Sequence, residues 1–357
     1  NGWSAYHKIT VLASKVNGDL SNFPVYVDLA NLPATFFSTV NGTGADIRMT
    51  NNGQVQELPF ELVALDTANA TGELWFKADY LSSSVNTDFY LWYGNGSASA
   101  YAEDATYGAQ NVWTQGYVAV WHMNEDPGSS NILDSTSTSN DGTPDATMNS
   151  SDLVNGQLGK AIDFDGTDDI IKSFSSAPPS YGTMSAWVRS QGNTSTSGYF
   201  ISHYNDSGAE RIYNYVDSVD DDIVVRLDAN SASVITTSNV ANDDTWHYYS
   251  MIYGTAAEVT QSKVYIDNSS PVSITNASSS LSTVSVNFAL GANLSASGAT
   301  EQLFYAGLLD EVRLSNEARS AAWIKTEYNN QSATESFYLI DGASLDEQPL
   351  IFFWTLP

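Results

Sequence analysis

Short apolar and aromatic runs, broken every few positions by small polar residues, recur along the whole chain. The first series comprises residues 4–12, 24–29, 46–50, 58–65, 72–78 and 88–93. Runs this short, rich in β-branched and aromatic residues and bounded by turn formers, predict strands. Asn51-Asn52-Gly53 separates the third run from the fourth as a hairpin turn. In 73–77 and 89–93 aromatics alternate or run on, as in strands of a packed sandwich. Gly94-Asn95-Gly96-Ser97 stops the last of these strands.

Residues 98–115 show little periodicity and read as a connector. A longer series then begins at 116–123 and continues through 161–164, 182–189, 199–203, 223–227, 246–253, 263–266, 288–292 and 308–314. Repeated short strands with turns between them argue for a sandwich or jelly roll. One helix is predicted, over 315–328, capped by Ser315 or Asn316 with Glu317 in its first turn. The pattern therefore predicts an all-β protein of two consecutive antiparallel β-sandwich domains with one short C-terminal helix.

Composition narrows the function classes. Of 357 residues 42% are hydrophobic, enough for two cores, and only 15% are charged, unlike a disordered chain. The formal net charge is −28, with 13 Lys plus Arg and no basic cluster. Nucleic acid and anionic membrane surfaces are therefore poor partners. Cysteine is absent, which removes thiol catalysis and Cys zinc sites. The four histidines (His7, His122, His203, His247) form no close pair in sequence. No run of ~18 apolar residues spans a bilayer. Asn1 stands where a Met would begin an intact chain, so the expectation is an exported protein whose leader was removed, or part of a longer one.

Several phrases resemble a known family. Val120–Glu125 and Leu133–Thr136 are similar to the opening of a laminin-G-like, concanavalin-A-like jelly roll. Residues 154–166 (VNGQLGKAIDFDG), 184–188 (MSAWV), 244–248 (DTWHY), 307–314 (GLLDEVRL) and 322–331 (AWIKTEYNNQ) resemble its later phrases, in order. The resemblance implies such a jelly roll over about 112–335, closed by the helix, with a tail at 336–357. Residues 1–105 resemble an uncharacterised family that precedes such jelly rolls in prokaryotic surface proteins, carried by Trp3, 6–10 (YHKIT), 23–25 (FPV), 44–48 (GADIR) and 91–95 (LWYGN). That family brings no activity with it.

Strand alternation puts Leu308, Val312 and Leu314 on one face with Asp310 between them, and Asp310 and Glu311 on opposite faces. An ionised Asp on a core line must be paired, hydrogen-bonded or bound to metal. A jelly roll brings its first and last strands together, so Glu125, Asp134 and Asp310 are expected to form an oxygen cage for a structural Ca²⁺. The alternative has Asp134 capping a turn, Asp310 bonded to backbone amides and Glu125 solvated. Asp165–Asp169 and Asp220–Asp222 also look metal-like, but read as solvated turns. Glycoside hydrolysis needs two carboxylates ~5–9 Å apart, and no strand presents such a pair on one face. Sugars stack on aromatic rings, so Tyr204, Arg211 and Tyr213 are the ligand-binding expectation, with coverage of a sheet face as its alternative. Leu350, Ile351, Phe352, Phe353 and Trp354 suit assembly by strand addition, or packing on their own domain. The leading reading is a non-catalytic adhesion or glycan-recognition protein of the cell exterior, binding a glycan or surface protein. The alternatives are a self-assembling surface-filament subunit and, behind it, a glycoside-active enzyme.

Overall fold

The computed structural model describes residues 2–173, 179, 181–191, 197–205, 211–217, 222–228, 233–237, 243–254, 262–273, 286–294 and 301–341. The expected assembly run Leu350–Trp354 lies outside them, as do the side chains of Tyr204 and Arg211. The chain forms two compact units, Asn1–Gln115 with Ser320–Pro357, and Gly116–Arg319.

The first unit is a sandwich. Its strands are β1 (Ala5–Val11), β2 (Leu20–Asp28), β3 (Arg48–Thr50), β4 (Glu57–Leu58), β5 (Phe60–Asp66), β6 (Thr71–Leu81) and β7 (Thr87–Tyr93), with helix α1 (Ala34–Thr39) after β2. β1 buries Ala5, His7, Ile9 and Val11 and leaves Tyr6, Lys8 and Thr10 half-buried, the two-residue period of a strand. β2, β6 and β5 make a three-stranded sheet. Phe76 of β6 meets Phe89 of β7 with ring centroids 4.9 Å apart, joining the inner faces of the two sheets. Phe36 of α1 packs edge-on to Tyr93 at 4.9 Å.

This unit is completed by residues far along the chain. Helix α2 (Ala321–Ser332) is capped by Ser320, whose Oγ accepts from the Trp323 amide at 3.1 Å. Trp323 packs edge-on to Phe23 at 4.9 Å. After α3 (Thr334–Phe337), strand β25 (Tyr338–Ile340) pairs antiparallel with β1, Ile9 opposite Ile340. The five-stranded sheet reads β25-β1-β7-β3-β4. The helix predicted at 315–328 to close the jelly roll thus starts later and packs on the first unit instead. Ser315 is still strand, paired with Thr183. The expected 1–105 domain has an edge strand, β2, whose outer backbone groups require partners, and the C-terminal elements supply them.

The second unit holds the longer strand series. One sheet runs β10 (Leu153–Asn155), β11 (Lys160–Asp165), β24 (Ala306–Ser315), β13 (Gly182–Ser190), β18 (His247–Tyr253), β19 (Lys263–Ile266), β20 (Val272–Ser273), and β8 (Tyr117–Trp121) also pairs with β24. The other runs β17 (Ser233–Thr237), β16 (Ile223–Asp228), β15 (Arg211–Val216), β14 (Gly198–Asn205), β21 (Val286–Leu290), β12 (Ile171–Ser173), β9 (Thr143–Pro144). β22 (Asn293–Leu294) and β23 (Glu301–Gln302) form a ribbon. Among the described residues the pairs are antiparallel; a large core holds Trp121 and Phe288, stacked at 5.7 Å, and a smaller cluster gathers Ile170, Ala289, Ala292 and Leu294.

A bulge in β24 changes which residues face that core. Ser185 pairs with Arg313 but Trp187 pairs with Asp310, so β24 carries one extra residue there, and Glu311 takes a φ of +50°. The extra residue resets the alternation. Leu309, Val312 and Leu314 enter the core, so the expected grouping of Leu308 with Val312 and Leu314 does not hold.

Candidate functional site

Asp134 follows β8 and makes an isolated bridge with Trp121. Its Oδ1 accepts from the amides of Val120 at 3.0 Å and Thr136 at 2.9 Å. Its Oδ2 accepts from Thr136 Oγ1 at 2.9 Å, Thr138 Oγ1 at 3.0 Å and the Asn140 amide at 2.8 Å. Two carboxylate oxygens offer about four lone-pair sites. Backbone amides and hydroxyls thus converge on both oxygens, and Asp134 pins the 134–140 loop onto β8.

Asp310 is fully buried, and its Oδ2 accepts from the Leu158 amide at 2.8 Å. Gly156 belongs to the same turn, where an added Cβ would lie 2.6 Å from that oxygen. The turn between β10 and β11 therefore closes over the Asp310 carboxylate. Beside it, Glu311 lies in a buried network: Oε1 is 2.7 Å from His122 Nδ1, and Arg313 donates to Oε2 at 2.6 Å. Burial drives the Glu311 carboxyl upward, but the His122 and Arg313 charges outweigh it and hold it below the usual carboxylate range. Glu125 lies half-buried beyond the end of β8. Among the described residues Glu125, Asp134 and Asp310 do not form a close group of carboxylates, so the expected cage is not assembled.

The acids that converge belong to the turn after β11. Among the described residues, Asp165, Asp168 and Asp169 place one carboxylate oxygen each within 4.8 Å of one another, a group that could hold a metal ion. The turn is tight: Asp165 Oδ1 accepts from the Thr167 and Asp168 amides at 2.7 and 3.3 Å, and Asp169 Oδ2 from the Asp165 amide at 2.9 Å. Gly166 supplies the required φ of +76°. Asp165 and Asp168 are exposed, but Asp169 is buried, and burial followed by the neighbouring acids pushes its carboxyl up to about 6. The expectation of a solvated turn holds for Asp165 and Asp168, but the fold buries Asp169.

The expected ligand-binding tyrosine, Tyr213, is 3% exposed and meets Tyr199 edge-on at 5.0 Å, while Tyr215 stacks on Tyr199 at 4.8 Å. These rings cover one another on their sheet, the alternative already open from sequence. Tyr204 and Arg211 face each other in the β14–β15 register. His247 is the first residue of β18. Its Nδ1 lies 2.7 Å from Asp267 and its Nε2 3.2 Å from Asp243, and the bond to Asp267 raises its pKa against the effect of burial. His203 pairs in register with Ile212 and Phe288, is 2% exposed, and burial drives its pKa down to about 3.

Residues 164–325 match the laminin G family model described as the concanavalin A-like lectin/glucanases superfamily. No curated protein matches the chain in sequence. Among solved structures, domain 4 of AbnA, a GH43 extracellular arabinanase from Geobacillus stearothermophilus in complex with arabinotriose, is 18% identical, with a TM-score of 0.45, over 60% of this chain and 98% of that one. A heptameric SAP-like pentraxin from Limulus polyphemus is 16% identical, with a TM-score of 0.38, over 51% and 92%. The CBM40 of a Ruminococcus gnavus IT-sialidase, bound to α2,3 sialyllactose, is 10% identical, with a TM-score of 0.36, over 42% and 84%. The match begins in β11 and ends in α2, so most of it falls in the antiparallel sheets of the second unit, and over these residues the chain is similar to the concanavalin A-like lectin/glucanases superfamily.

Proposed function

We propose that the protein is a non-catalytic glycan-recognition protein of the cell exterior, with the second unit as a recognition domain and Ca²⁺ held at Asp165, Asp168 and Asp169. The carrying observation is the match of residues 164–325 to a superfamily of lectins and glucanases. Between those two halves, the acids of β24 favour the lectin. Hydrolysis requires two carboxylates that reach the substrate. Asp310 and Glu311 are 0% and 1% exposed, and they are committed to the Leu158 amide and to His122 with Arg313. Converging carboxylate oxygens suit the hard Ca²⁺ ion, which would offset the repulsion among three neighbouring acids.

The test is a glycan array probed with the full chain, with calcium and with chelator, alongside a reducing-end assay on the same sugars. Saturable binding without new reducing ends is expected. Release of reducing ends, or no retention on any glycan, would overturn the proposal.

A further inference from the structure

The outward face of the five-stranded sheet in the first unit presents an ordered array of rings and polar groups. In the β1–β7 register Tyr6 stands opposite Trp92, Lys8 opposite Tyr90, and Thr10 opposite Asp88. β3 extends these rows, with Arg48 opposite Trp92 and Thr50 opposite Tyr90. Trp92, 3% exposed, forms the floor, and its Nε1 donates to Thr50 Oγ1 at 3.0 Å. Tyr6 and Tyr90 are half-buried, each in contact with the Trp92 ring (4.8 and 6.5 Å) and edge-on to each other at 5.6 Å. A fold needs only one buried face per sheet here, and the inner face already has Ile9, Phe89 and Leu91. Trp92 is buried beneath them, while Tyr6 and Tyr90 keep part of their ring surface open to solvent.

The charges around the rings indicate what the face accepts. Lys8 Nζ lies 3.1 Å from Asp341 and 3.9 Å from Asp88, and Arg48 Nε lies 3.4 Å from Glu57. Every cation on the face is thus balanced by a carboxylate, within a protein of net charge −28. An anionic ligand finds no unbalanced positive charge there, and a polycation finds little net negative charge. The face suits a neutral molecule with an apolar side and many hydroxyls. The half-buried Lys8, Thr10 and Asp88 can each take a further hydrogen bond, while the tyrosine rings offer flat apolar surface. A stable protein interface buries about 800 Å² per partner around an apolar centre, more than two half-buried tyrosines provide. Sugar stacking needs only a ring or two.

We infer that this face is a second carbohydrate surface, taking neutral polysaccharide by stacking on Tyr6 and Tyr90 with Lys8, Thr10 and Asp88 bonding the hydroxyls. It is independent of any site in the second unit.

The test is native affinity electrophoresis of the full chain in gels containing mixed-linkage β-glucan, xylan or galactomannan, with polyproline as the protein-like comparison. Retardation by at least one polysaccharide is expected. In the Tyr6→Ala/Tyr90→Ala double variant it should fall by about tenfold or more in affinity, and Tyr6→Phe/Tyr90→Phe should retain it. Because the alanine variant risks misfolding, wild-type protein is also iodinated with and without the retarding polysaccharide. Mass spectrometry should show Tyr6 and Tyr90 protected. Retardation unchanged in the alanine variant with no protection of these tyrosines would place binding elsewhere and overturn this inference, leaving the recognition role of the second unit standing. No retardation by any of the three polysaccharides, or retardation by polyproline alone, would also overturn it.

Discussion

The side-chain amide of Asn330 is hydrogen-bonded to both backbone groups of Tyr26, accepting from its N–H at 2.7 Å and donating to its C=O at 3.0 Å. A single side chain therefore imitates a neighbouring strand along the free edge of β2. The Thr326 hydroxyl does similar work at Asn17, accepting its amide at 3.0 Å, and the Tyr338 hydroxyl accepts from the Asp28 amide at 3.0 Å. Removing the Asn330 amide strands two buried backbone groups, each costing about 1–3 kcal/mol. Asn330→Ala should thus lower the stability of the first unit by about 2–6 kcal/mol, read as a shifted midpoint in urea denaturation.

The first unit is built from both ends of the chain, which makes its response to cleavage specific. A single protease nick within 98–115 should not free the N-terminal fragment, because β25 pairs with β1 and α2 covers β2. Size-exclusion chromatography should show one nicked species that separates only in denaturant. Truncation after Arg319 should expose the apolar residues around Phe23 and make the first unit bind a hydrophobic dye.

Calcium and pH should act together at Asp169. A carboxyl raised to about 6 in the folded protein favours folding below the unfolded value of ~3.9, and that contribution is lost as pH rises through 6. Without calcium, Asp169→Asn should therefore melt at a higher temperature than wild type at pH 7. Calcium should raise the wild-type Tm at pH 7.5, raise it less at pH 5, and leave Asp169→Asn unmoved. Equal calcium responses of the two proteins would exclude this turn as the site.

His247 has a different window. Its bond to Asp267 raises its pKa above 6.5, so its contribution is complete below the unfolded value near 6.5 and disappears as pH rises through the folded one. The difference in Tm between wild type and His247→Gln should be largest near pH 6 and shrink toward pH 9. A difference independent of pH would mean that the ring acts by packing alone.

Glu311 tests the buried network. Glu311→Ala removes the carboxylate that His122 and Arg313 share, a loss of the kind that costs about 3–5 kcal/mol. Glu311→Gln, which keeps a hydrogen-bond acceptor, should cost less. Chemical denaturation of the two variants measures both.

The strand pattern alone determined much of this protein. Alternation at Tyr6–Val11, the turn at Asn51–Gly53 and the ordered phrases from Val120 to Leu314 are local signals, and the structure has antiparallel strands at these places. The converging turn Asp165–Asp169 was visible too, since its acids are close in sequence. Tertiary structure decided three other matters. The bulge at Glu311 inserts one residue opposite β13, which no two-residue period anticipates, and so it selects Leu309 for the core and sends Asp310 to Leu158. The partner of α2 was decided by the unpaired edge of β2, about three hundred positions away, because backbone hydrogen-bonding groups must be satisfied wherever they are buried. The role of Asp134 was decided by how many donors reach it. A sequence gives the carboxylate, but only the folded loop shows which amides and hydroxyls converge on it.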